Sequence, residues 1–123
     1  MLRNVVIDLG NNPGLSGVSM SGAQLCSIED VTVTGTDFTA GVVGLPGSGG
    51  FTANLRVDGG AFAVWQAQFR PNPSVSGLVA LNQSVAAVLL QKTRGPSSPF
   101  RVSVCAARTL NPTGQSRVTL SRR

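Results

Sequence analysis

Four stretches of the chain superimpose when laid on one another: Leu-Arg-Asn-Val-Val-Ile-Asp at 2–8, Ile-Glu-Asp-Val-Thr-Val-Thr-Gly at 28–35, Thr-Ala-Asn-Leu-Arg-Val-Asp-Gly at 52–59 and Val-Ser-Gly-Leu-Val-Ala-Leu-Asn at 75–82. Each is a short strand of alternating apolar residues that ends near Gly or Asn. Their leading apolar residues, Val5, Val31, Leu55 and Leu78, are separated by 26, 24 and 23 residues. A period of this length is the mark of stacked repeats. A second set of strand-like segments lies between the first: 17–20, 41–44, 62–65 and 86–89. Taking Val18, Val42, Ala63 and Ala87 as its markers gives steps of 24, 21 and 24 residues, so the two sets run in phase.

Two strands per repeat favour a coil over a hairpin. The Leu-x-x-Leu-x-Leu frame and Asn column of leucine-rich repeats are missing, and Gly and β-branched residues interrupt almost every window that a helical repeat would need. The expected fold is all-β: a right-handed, single-stranded parallel β-helix of about four coils, incomplete as a solenoid, with each strand about 4.8 Å from its equivalent in the previous coil. Its inward columns are Val5, Val31, Leu55, Leu78 and Ile7, Val33, Val57, Ala80. One coil is a ring open above and below, so these side chains become buried only by stacking. The unpaired ladder edges expected at Leu2–Asp8 and Ala86–Leu90 invite self-association.

Composition sets further bounds. A chain of 123 residues, with 15 Gly, 7 Pro, no Tyr and 12% charged residues, fits one turn-rich domain. It contains no apolar run of about eighteen residues, so no membrane span is expected. Residues 1–20 lack the segments of a signal peptide, so a secreted parent would carry its signal upstream of Met1.

Charge divides the chain in two. Residues 1–90 hold Arg3, Arg56 and Arg70 against Asp8, Glu29, Asp30, Asp37 and Asp58, a net charge of −2, whereas residues 91–123 hold seven Lys or Arg and no acid. The expected organisation is a β-helix over 1–90 and an irregular, basic tail over 91–123, in which only 100–107 and 117–120 have strand character. The acidic repeat region and the lack of interleaved aromatics argue against nucleic acid as the partner.

Few residues are suited to catalysis. The chain has no His, which excludes a histidine-dependent triad, and no Cys/His spacing suits zinc. Cys26 is expected to be a small buried residue, and its pairing with Cys105 is left open. Asp8 and Asp58 share a column two coils apart, roughly 9–10 Å, near the upper limit for an inverting glycosidase pair. Asp before Gly at a strand end is also ordinary turn chemistry, and that is the expected role. Glu29 and Asp30 are expected at a solvated loop edge ahead of their strand.

Several pieces in order, 2–8, Ala-Gln-Leu-Cys-Ser-Ile-Glu-Asp-Val at 23–31, Gly-Ser-Gly-Gly-Phe at 47–51, Gly-Gly at 59–60 and Gln-Ala-Gln-Phe at 66–69, resemble the N-terminal β-helix of fungal exo-β-1,3-glucanases of glycoside hydrolase family 55, within the pectate-lyase-like superfamily. The likeness covers about residues 2–90. It implies an extracellular protein with a surface that faces polysaccharide and needs no cofactor. By motif position it carries glycan contacts to Gln24, Ser48 and Gln68, and Trp65 lies beside that edge, where its ring can stack on a sugar. Leu45-Pro46 and Ala67 stand where the family has polar groove residues. The family's general acid lies in a second β-helix, so this chain is expected to bind glycan without hydrolysing it; the alternative is a non-catalytic structural or adhesive β-helix.

Overall fold

The computed structural model describes residues 1–20, 25–47, 49–66 and 74–91, together with the strand backbone at 103–105 and 108–110. Eleven strands and no helix form among these residues: β1 (Leu2–Asp8), β2 (Ser16–Ser19), β3 (Ser27–Thr34), β4 (Ala40–Val43), β5 (Phe51–Asp58), β6 (Phe62–Gln66), β7 (Ser74–Ser76), β8 (Val79–Leu81), β9 (Ala86–Leu90), β10 (Ser103–Cys105) and β11 (Arg108–Leu110). They stack as a parallel β-solenoid. The first sheet runs β1-β3-β5 and then continues through β7 and β8 to β10 and β11; the second runs β2-β4-β6-β9. The four strands of the second sheet span about three turns, slightly fewer than the four coils that the periodicity predicts.

The first-sheet columns stand as expected. Val5 pairs with Val31 and Val31 with Leu55, and Ile7, Val33, Val57 and Ala80 follow one another. The second sheet corrects the expected register by one residue after β4, because Val42 lies opposite Val64 and Val64 opposite Val88. Ala63 and Val64 are both apolar and both buried, so alternation alone could not choose between them. Glu29 and Asp30 also differ from expectation, since they lie inside β3.

Two corners flank the first sheet in each coil. Within the first sheet, Asn4, Asp30, Asn54 and Gly77 adopt φ of 54°, 52°, 53° and 67°, a left-handed conformation that Asn, Asp and Gly tolerate best. They occupy equivalent positions in successive strands, and the Asn54 amide donates to Asp30 Oδ1 at 2.9 Å. The second corner follows β1, β3 and β5 and is filled by the buried ring of Phe38. Gly60 makes room for it, since a Cβ there would meet the ring at 2.3 Å, while Gly59 (φ +95°) lets successive coils close up, since a Cβ there would meet Gly35 O at 1.8 Å.

The two sheets pack by matched volumes. A Cβ on Gly17 would come within 2.7 Å of Val33, and one on Gly41 within 2.6 Å of both Val57 methyls. One strand further, the ladder places Ala63 at the Gly41 position and Ala80 at the Val57 position. Where the facing residue shrinks from Val to Ala, its neighbour grows from Gly to Ala. Close packing of this kind leaves no space for an extra methyl group.

Backbone pairing runs on into the basic segment, where β10 pairs with β7 and β11 with β8. β10 lies within the 100–107 stretch of expected strand character, β11 falls beyond it at 108–110 and so corrects that expectation, and 117–120 lies outside the described residues. Cys105 sits opposite Ser76, three strands from the one that Cys26 precedes. At about 4.8 Å per strand, that separation is roughly 14 Å, beyond the reach of a disulfide.

Candidate functional site

Of the four residues expected to contact glycan, the structure places Trp65; Gln24, Ser48 and Gln68 lie outside the described residues. Trp65 is near the end of β6, between Val43 and Leu89 in the ladder. Its ring is half-buried, its indole N–H donates to Gln91 Oε1 at 3.1 Å, and the Phe62 ring lies 6.1 Å away at a tilt of 46°. The hydrogen bond and the aromatic neighbour restrict the indole's rotation while leaving part of it accessible. The sequence reading missed Phe62 and Gln91. Phe62 is three residues from Trp65 on the same strand, and Gln91 lies two residues beyond Trp65's ladder partner, a placement visible only once the second-sheet register is known.

The described residues of 44–51 begin beside Trp65. Gly44 N–H donates to Trp65 O at 2.9 Å, Gly50 N–H to Gly47 O at 2.8 Å, and Phe51 N–H to Cys26 O at 3.2 Å. Leu25 and Gly49, the sequence neighbours of Gln24 and Ser48, approach each other closely: a Cβ on Gly49 would lie 3.0 Å from Leu25 Cδ2. Leu25 is 83% exposed and Phe51 44% exposed, so this corner presents apolar surface. Leu45 is 1% exposed and belongs to the core.

The carboxylates are engaged locally. Asp8 Oδ1 accepts from Gly10 N–H at 2.9 Å, the turn chemistry expected of it. Asp58 lies between Arg56, which donates to Oδ2 at 3.3 Å, and Asn82, which donates to Oδ1 at 2.7 Å. The shared column of Asp8 and Asp58 is real, with Thr34 between them. Arg3 lies 3.9 Å from Glu29 and 4.0 Å from Asp30. Among the described residues, no group of three His, Cys, Asp or Glu is placed to hold a metal ion. Cys26 is a half-buried free thiol.

Comparison with family profiles, curated proteins and solved structures finds no match to this chain.

Proposed function

We propose that this β-solenoid is a polysaccharide-binding domain of an extracellular protein, which holds a glycan such as a β-1,3-glucan at the Trp65 edge without cleaving it. The observation that supports this reading is the restrained, part-exposed indole of Trp65, with Phe62 beside it and a short loop leading to the apolar surface of Leu25 and Phe51. A flat aromatic face suits the C–H side of a sugar ring, and amide groups nearby can both donate to and accept from its hydroxyls. Gln24, Ser48 and Gln68 enter the proposal through the family resemblance and complete the polar side of the contact.

Trp65 is the only tryptophan in the chain, so its fluorescence reports on this site directly. Titration with laminarin should shift and saturate the emission. Trp65→Ala should weaken retention on immobilised β-1,3-glucan by about three- to tenfold, the weight of an aromatic contact, and Trp65→Phe should restore most of it. An unchanged emission together with no retention would remove the glycan reading and leave a structural or adhesive solenoid.

A further inference from the structure

Three Asn-x-Ser or Asn-x-Thr triplets occur in the chain, at 72–74, 82–84 and 111–113. Pro73 and Pro112 fill the middle of the first and third, and proline there blocks the acceptor for asparagine-linked glycosylation. Asn82-Gln83-Ser84 is the competent triplet that remains. We propose that Asn82 carries an asparagine-linked glycan. This rests on the extracellular reading above, because the modification belongs to secreted chains.

The bend after β8 presents this triplet as the modification needs. Asn82 and Ser84 are exposed, whereas Gln83 between them is 7% exposed, so the two side chains that define the acceptor face water and the third faces the protein. Gln83 fixes that division, since its Nε2 donates to Val57 O and to Gly59 O, each at 3.1 Å. Asn82 takes a φ of 58°, a left-handed conformation that Asn tolerates at a bend. Its Nδ2 donates to Asp58 Oδ1 at 2.7 Å. A carboxamide nitrogen has two hydrogens, so one remains for substitution. The Ser84 hydroxyl makes a 3.4 Å contact with Gly60 O, near the limit for a hydrogen bond and easily given up.

The sugar donor is an oligosaccharide carried on a lipid pyrophosphate. Asn82 Nδ2 forms a bond to the anomeric carbon of the first sugar as the bond from that carbon to the phosphate oxygen breaks. The pyrophosphate leaves with the electron pair, and Nδ2 gives one proton to a base of the transferase. The N–H that is left can still serve Asp58. Val85, next in the chain, is 66% exposed, apolar surface that the attached sugar can cover. The attachment point stands apart from Trp65, which lies opposite Leu89 near the far end of β9, whereas Asn82 precedes the start of that strand.

Expression of the full chain behind a secretory leader in a eukaryotic cell tests this. Peptide mass spectrometry on the total chain, cell-associated and exported, before and after an amidase that removes such glycans, reads the modification whether or not export is efficient. The peptide containing Asn82 should carry a glycan, which is lost in Asn82→Gln and in Ser84→Ala and kept in Ser84→Thr. The glycosylated chain should show the same β-type circular dichroism as the Ser84→Ala chain, because the bend accommodates the sugar without unfolding. Unmodified Asn82 in both pools would overturn the proposal. So would a glycan confined to chain that has lost its β-type circular dichroism. Laminarin retention of the Ser84→Ala chain, measured alongside, reads on the Trp65 proposal alone and separates the failure of one from the failure of the other.

Discussion

The first coil and the two that follow it are written in nearly the same pattern, yet they are buried to different degrees. Leu2, Val5 and Ile7 are only half-buried, whereas their counterparts Ile28, Val31 and Val33 in the second coil and Leu55 and Val57 in the third are fully buried, at 0% exposure. Alternation decides which way a side chain points. Whether it leaves water depends on having a neighbour on both sides, so in a solenoid the same residue contributes according to its place in the stack. The glycines show the same contrast. Gly10 follows β1 with open space around it, its nearest contact for an added Cβ being Asn12 at 3.7 Å, while Gly59 follows β5 pressed against Gly35 O.

The sharpest way to break this comparison is to substitute those two glycines. Gly59→Ala adds a Cβ into the backbone of the coil below at a positive φ, and should cost more than about 3 kcal/mol in urea unfolding, enough to lose the fold. Gly10→Ala carries only the left-handed strain and should cost about 1 kcal/mol. Equal costs would mean that the corner is not stacked as described. A smaller contrast lies within one column. Val31→Ala should destabilise by about 2 kcal/mol and Val5→Ala by less than about 1 kcal/mol, because a cavity costs most where both neighbours are fixed.

The smallest expected effect runs the other way. Thr52 lies between Ile28 and Val75 in the ladder at 0% exposure, and its hydroxyl has no hydrogen-bond partner among the described residues. Thr52→Val should therefore stabilise the protein by about 1 kcal/mol, raising the midpoint of the same unfolding curve. A loss of stability would point to a partner for that hydroxyl, such as an ordered water.

The first sheet was largely legible in the sequence because three signals coincide there: alternation, a regular period and turn residues at the strand ends. A fourth signal was present and passed over, namely Asn, Asp, Asn and Gly one residue before Val5, Val31, Leu55 and Leu78, which marks the left-handed corner. The second sheet was harder to read. Its strands are short, and the buried pair Ala63-Val64 satisfies either register. Phe38 gave no periodic signal, because it fills a corner only once; the neighbouring Gly59-Gly60 is its trace in the sequence. The candidate site was less legible still. Trp65 was visible as an aromatic near a strand end, but its partners Phe62 and Gln91 meet it through the coil geometry, and nothing in the 44–50 stretch marks Leu45 as a core residue.

The left-handed corner has a consequence for how such a chain can change length. Successive first-sheet strands are offset by 26, 24, 23 and 29 residues, so the connecting segments absorb gains and losses while the corner stays in place. An insertion within Leu2–Asp8 or its equivalents would turn every later side chain inside out. One in a connecting segment, or one of an entire coil, leaves the corner where it was. Relatives of this architecture should therefore differ by loop size or by whole coils, with Asn, Asp or Gly keeping its place at each bend.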